Sequence, residues 1–154
     1  MSRRGGRALA LDVGERRIGV AVSDETGVIA TPVATVLRGR GDLAEIARLV
    51  TEWEADRVVV GLPTGLSGRE GPQAAVVRAY ATTLANHLGP APPIHFWDER
   101  LTTAIAERAL IAAGTRRAQR RERIDAVAAA VILQSYLDAG RSRPRTGDGD
   151  RQQR

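Results

Sequence analysis

Hydrophobic and polar positions change their period several times along this chain. Residues 8–13, Ala-Leu-Ala-Leu-Asp-Val, are almost continuously apolar, the pattern of a strand buried on both faces and central in a sheet. Gly14 to Arg17 predict a tight turn and 18–23 a second strand. Asp24-Glu25-Thr26-Gly27 then predicts a hairpin turn into a third strand over 28–36. Pro32 has no amide hydrogen to give to a ladder, which places that strand at a sheet edge. Helical spacing takes over at Leu43, Ile46, Ala47 and Val50 and ends near Trp53. A short buried strand over 57–62 stops at Pro63, and the Gly-rich loop 64–71 follows. A helix is expected from Pro72 to His87, closed by Gly89-Pro90. The fifth strand covers 93–98. Thr102 or Thr103 caps a helix to Ala113, stopped by Gly114, and a last helix spans 118–139 with Gly140 as its stop.

Three strands followed by alternating helices and strands make an α/β order whose second half consists of right-handed crossovers. A central first strand with a hairpin on one side and parallel strands on the other gives a five-stranded mixed sheet, order 3-2-1-4-5, flanked by helices. That is the ribonuclease H-like arrangement. Residues 1–140 are expected to form one domain. The tail 141–154, rich in Arg, Gly, Asp and Gln, is expected to be disordered.

Composition narrows the chemistry. The 154 residues contain no cysteine and no lysine, and only two histidines, His87 and His95. Thiol nucleophiles, a P-loop lysine, Schiff bases and histidine-rich zinc sites are thereby excluded. Carboxylates, hydroxyls and Arg remain. No apolar run approaches the ~18 residues of a membrane span, and the N-terminus lacks a signal peptide's apolar stretch, so a cytoplasmic protein is expected. The net charge is +5 and it is polarised. Five acids stand against Arg48 between Asp42 and Asp56, while Arg116, Arg117, Arg120, Arg121 and Arg123 stand against Glu122. A basic segment is often just a solvated face, but this polarity suits a nucleic-acid partner better than uniform solubilisation.

Acids at three places along the chain, four residues in all, are candidates for chemistry. Asp12 interrupts the central strand near its carboxyl end, where an ionised group must be solvated, hydrogen-bonded or metal-bound. Asp98 and Glu99 follow the fifth strand. Neighbouring strand positions face opposite sides, so at most one points directly into a site shared with Asp12. Glu99 has the longer reach, Asp98 more naturally braces Arg100, and the sequence leaves the choice of ligand open. Asp125 lies in the first turns of the last helix, at the edge of a stripe expected at Ile124, Val127, Ala128 and Val131. Each acid alone has an ordinary structural explanation: a turn-initiating Asp, a solvated pair, a carboxylate favoured by a helix N-terminus.

Taken together, they are predicted to converge from separate elements on the carboxyl end of the first strand. Hard oxygen ligands in that arrangement suit one or two Mg²⁺ or Mn²⁺ ions, which can activate a water and stabilise a leaving oxygen in phosphodiester cleavage. Arg16, Arg17, Arg100 and the cluster Arg116, Arg117, Arg120 and Arg121 border that site and are candidates for binding phosphate. The loop 64–71 offers further backbone amides, although its glycines more simply allow turning. Five aromatic residues are too few for a base-stacking platform, so backbone and shape should dominate recognition.

These residues give the chain a familiar look. Leu11-Asp-Val-Gly-Glu-Arg-Arg-Ile-Gly-Val-Ala-Val-Ser-Asp24, Val60-Gly-Leu-Pro63 with Gly68 and Gly71, Asp98-Glu-Arg-Leu-Thr-Thr103 with Glu107, and the segment from Arg123-Ile-Asp125 to Leu137 resemble the YqgF family, also called RuvX, over residues 7–139. The resemblance implies a metal-dependent nuclease acting in the cytoplasm on the 5′ end of pre-16S ribosomal RNA, in free RNA or an assembling small subunit. Carried over by motif, its acidic site is Asp12, Glu99 and Asp125. Members were earlier proposed to resolve Holliday junctions, so branched DNA is the alternative substrate. A non-catalytic RNA- or ribosome-binding module is the alternative from another class. One departure from the wider fold is that the fourth strand ends in Gly61-Leu-Pro, where resolvases usually place an acid. The short Asp12-Val-Gly turn also resembles the phosphate loop of actin-like ATPases, but those need a second domain that 154 residues cannot hold.

Overall fold

The computed structural model describes residues 6–65, 68–101 and 117–142, with side chains described over 125–140 in the last of these segments. Strands β1 (Ala8–Val13), β2 (Arg17–Ser23), β3 (Ala30–Leu37), β4 (Arg57–Leu62) and β5 (Ile94–Asp98) form one sheet in the order β3-β2-β1-β4-β5. The β1–β2–β3 pairings are antiparallel, and β1–β4 and β4–β5 are parallel. Helices α1 (Asp42–Glu52), α2 (Pro72–Leu88) and α3 (Arg117–Ser142) and a 3₁₀ turn (Glu99–Leu101) complete the described elements. The helix expected over 102–113, Arg116 and the tail from residue 143 lie outside the described residues.

Strand alternation builds two unlike faces. Leu9 and Leu11 on β1, Ile18, Val20 and Val22 on β2, and Val58 and Val60 on β4 point to the side of α1 and α2, where Ile46, Leu49, Val77 and Leu84 complete a branched core. The opposite positions are small: Ala8, Ala10 and Ala21, with Val59, pack against Ala129, Ala130, Ile132 and Leu133 of α3. That Ala-on-Ala contact lets α3 lie close across β1, β2 and β3. Polar side chains fix it at both edges of the sheet. On the β3 side, Gln134 accepts from the Ala30 amide (3.0 Å) and donates to the Val28 carbonyl (2.8 Å). On the other, Trp97 Nε1 donates to Ser135 Oγ (3.0 Å), which donates to the Leu101 carbonyl (2.9 Å).

Three local expectations are corrected. β3 begins at Ala30, not at 28, because Asp24 Oδ1 captures the amides of Val28 (2.8 Å) and Ile29 (3.0 Å) that would otherwise join the ladder. α3 runs through Gly140 to Ser142; a helical Gly costs only about 1 kcal/mol relative to Ala, which a long helix absorbs. The α3 stripe is also rotated from the expected one. Residues 126–133 are buried except Ala128, which is half-buried, and the sheet cluster takes Ala129, Ala130, Ile132 and Leu133. A continuous apolar run does not fix a helix phase. Asp125, four residues before Ala129, therefore lies in line with the sheet-facing stripe, not at its edge.

Candidate active site

The site lies at the carboxyl end of β1 and is positioned by strand parity. Asp12 shares the parity of Ala8 and Ala10, so its carboxylate faces α3 and not the branched core. Its antiparallel partner on β2 is Gly19. A Cβ on Gly19 would stand 1.7 Å from the Asp125 carbonyl oxygen, so the helix backbone rests directly on this residue. The missing side chain is what lets α3 bring Asp125 beside Asp12.

The same parity separates the two acids after β5. Phe96 packs with the branched core and Trp97 with the α3 cluster, so Asp98 falls on the α1/α2 side. There Thr64 Oγ1 donates to Asp98 Oδ1 (2.8 Å), and Arg100 donates from its backbone amide (2.9 Å) and from Nη2 (2.7 Å). These bonds, with Arg100's side chain first, hold the Asp98 carboxyl well below the usual carboxylate range. Asp98 is thus a brace. Glu99 begins the 3₁₀ turn Glu99–Leu101 and reaches back over Gly61, where a Cβ would come within 3.0 Å of its Oε2 and 2.5 Å of Ile132 Cδ1. At the end of β4, Gly61 makes room for an acid arriving from the end of β5.

Electrostatics ties the three acids together. Burial first, then the charges of Glu99 and Asp125, raise Asp12 from 3.8 to about 7. Glu99 is also raised, by its own burial and then by Asp98. Among the described residues, no three Asp, Glu, His or Cys side chains are gathered tightly enough to enclose a metal ion. Asp125 instead accepts from Arg17 Nε at 3.0 Å. The donor chemistry nevertheless fits a hard divalent ion: oxygen-only ligands from three elements, with a mutual repulsion that such a cation relieves. Asp12, Glu99 and Asp125 are the residues that would hold it.

Of the candidate phosphate ligands, Arg16 is exposed in the turn beyond Asp12, Arg17 pairs with Asp125 and Arg100 with Asp98. Arg117, Arg120 and Arg121 lie in the first turns of α3, where the backbone alone is described, and Arg116 lies outside the described residues. The loop after β4 is tied down by Glu70, which accepts from Arg78 Nε and Nη2 (both 2.8 Å) while that guanidinium covers Phe96.

Sequence reasoning missed one support of the site. Arg38, just past β3, donates from Nη1 to the Gly14 carbonyl (2.8 Å), and its amide donates to the Arg16 carbonyl (2.8 Å). It thereby clamps the turn that follows Asp12. Its guanidinium lies over the Tyr80 ring, and Tyr80 donates to the buried Asp42. Asp42, one of the five acids between Asp42 and Asp56, is buried, and its apolar neighbours Leu43 and Ile46 are the sequence hint that this helix start is inside. Arg38→Ala is expected to lower stability by about 1–2 kcal/mol in urea titrations. Arg38→Lys should recover less than half of this, since Lys lacks the planar fork.

Comparison with known proteins places this geometry. The fold superposes on Thermus thermophilus RuvC in complex with a Holliday junction substrate, with TM-score 0.57 and 15% identity over 88% of this chain and 96% of that one. It also superposes on fowlpox virus resolvase in complex with Holliday junction DNA, with TM-score 0.56 and 12% identity over 86% and 97%. The class is therefore the ribonuclease H-like fold of these resolvases. Within it, the chain belongs to the RuvX family, described as Holliday junction resolvase, which matches residues 6–139. A Chloroflexus aurantiacus relative is 50% identical over 138 residues, covering 88% of this chain and 89% of its own. A Myxococcus xanthus relative is 48% identical over 137 residues, with the same coverage. Both carry the name "Putative pre-16S rRNA nuclease". No helix among the described residues is long and apolar enough to cross a membrane.

Proposed function

We propose that this chain is a divalent-metal-dependent nuclease that hydrolyses RNA phosphodiester bonds in maturing the 5′ end of pre-16S rRNA in the cytoplasm. The observation that carries the reading is the placement of Glu99, over Gly61, and of Asp125, against Gly19, around Asp12, which raises the Asp12 pKa. A protein that only bound anions would gain nothing from three carboxylates facing its ligand, which weighs against a non-catalytic module. The RNA substrate is supported by the names of relatives near 50% identity.

Asp12, Glu99 and Asp125 would hold Mg²⁺ or Mn²⁺, which would lower the pKa of a nucleophilic water and offset charge on the leaving oxygen. The chain's own residues do the positioning. Asp12 sits on the rigid central strand, and Glu99 and Asp125 approach it from either side. Arg16 and the Arg-rich start of α3 draw in the phosphate backbone.

Replacing Arg116, Arg117, Arg120 and Arg121 together by Ala is expected to weaken RNA binding. The slope of log K against log salt should fall by about three units if each Arg neutralises one phosphate of a single strand. Equal slopes for the two proteins would remove the cluster from the interface.

The family description keeps a second reading in play, resolution of branched DNA by the same acids. Offering a 5′-extended pre-16S fragment and a four-way DNA junction in parallel separates them. Cleaved RNA with an intact junction supports the maturation nuclease; symmetric nicking of the junction alone supports the resolvase.

A further inference from the structure

The contact between Arg17 and Asp125 joins a candidate phosphate ligand to a candidate metal ligand, and one side chain cannot serve both partners at once. Arg17 opens β2 and its guanidinium reaches across to α3, Nε 3.0 Å from Asp125 Oδ2, with the two side chains 47% and 29% exposed. An ion pair that open to water is weak and readily exchanged. Its charge occupies the carboxylate oxygen that a cation at the Asp12–Glu99–Asp125 site would need, and among the described residues no three acids yet enclose such a cation. We propose that Arg17 is an internal stand-in for the metal: a divalent ion displaces it from Asp125, and the freed guanidinium then takes a substrate phosphate.

This rests on the metal-site reading above and adds regulation to it. Metal and nucleic acid become coupled, because each removes one partner from the Arg17–Asp125 pair. RNA that draws Arg17 away leaves Asp125 open to the ion, and the ion on Asp125 leaves Arg17 open to the phosphate. By linkage the two effects are equal in size. The device would keep the acids from holding a metal firmly before substrate arrives.

The test is a Mn²⁺ titration of the full chain, followed by the electron paramagnetic resonance of free Mn²⁺, with and without a short 2′-O-methyl RNA. Arg17→Ala and Arg17→Gln are expected to bind Mn²⁺ about three- to five-fold more tightly than the wild type without RNA, the range that breaking a weak exposed pair allows. Arg16→Ala removes the same charge one residue away and should change affinity less than two-fold. RNA should tighten Mn²⁺ binding by the wild type three- to five-fold, and by the Arg17 variants less than two-fold. Asp12→Asn with RNA measures the metal that the RNA carries itself, and circular dichroism melts check that each variant is folded. Wild-type affinity in both Arg17 variants, or an equal gain in Arg16→Ala, would overturn the stand-in while leaving the metal site intact. Failure of any protein to bind Mn²⁺ above the Asp12→Asn baseline would overturn the metal site and the stand-in together.

Discussion

Asp12→Asn is expected to lower single-turnover cleavage on the order of 10³-fold or more, and also to make the metal-free protein more stable at pH 8. Both effects have one cause. The Asp12 carboxylate is half-buried beside two others, which raises its pKa to about 7 from 3.8. Between those values the folded state binds more protons than the unfolded chain, so stability falls as pH rises through the window. Above pH 7 the ionised group destabilises the fold by an amount on the order of a few kcal/mol. Asn fits the same space without charge and removes that penalty. Urea titrations at pH 5 and pH 8 check this: the wild type should lose stability between them and the variant much less. Since the carboxylate is the central ligand of the proposed site, its loss removes cleavage while the fold gains. A residue retained only for structure would show the opposite pairing.

The second large effect is at Gly19. A methyl group there meets the Asp125 carbonyl oxygen at 1.7 Å, its carbon at 2.2 Å and the Ala126 nitrogen at 2.8 Å. All three are backbone atoms, and no rotamer change relieves the clash. α3 must lift from β2, which opens the Ala-lined contact behind it. Gly19→Ala is therefore expected to cost about 3 kcal/mol or more and to abolish cleavage by carrying Asp125 away from Asp12. Gly61→Ala is the instructive contrast. Its methyl meets the ends of two side chains, Ile132 Cδ1 and Glu99 Oε2, which can turn aside. Stability should drop by about 1 kcal/mol, while cleavage falls further because Glu99 is displaced. Melting temperatures and cleavage rates of the two variants check the ordering; equal stability of Gly19→Ala and the wild type would contradict the close approach of α3.

What could be read from the sequence, and what could not, follows from the range of each interaction. The apolar run 8–13, the punctuation by Gly27 and Pro63, and Pro32 in the third strand are local signals, and the sheet order follows from them. Asp12, the Asp98–Glu99 pair and Asp125 stand out as acids at strand and helix ends against apolar neighbours, and only the family resemblance singles out Glu99. The choice between Asp98 and Glu99 could not be made, since it depends on which sheet face carries small residues and on Thr64, 34 positions earlier, reaching Asp98. The phase of α3 was hidden for a related reason: in a continuous Ala-Val run, only the sheet beneath decides which side is buried. Arg38 and the Arg17–Asp125 pair join residues far apart in sequence and leave no periodic trace. Gly19 was visible only as one glycine in a strand. Its cross-strand pairing with Asp12 is what gives it meaning.

The most direct test of the central claim is single-turnover cleavage of a 5′-extended pre-16S RNA fragment in Mg²⁺ and in Mn²⁺ by the wild type and by Asp12→Asn, Glu99→Gln and Asp125→Asn. The account predicts cleavage by the wild type that a chelator abolishes, and its loss in each folded variant, most completely in Asp12→Asn. Cleavage by Asp12→Asn at the wild-type rate would contradict it.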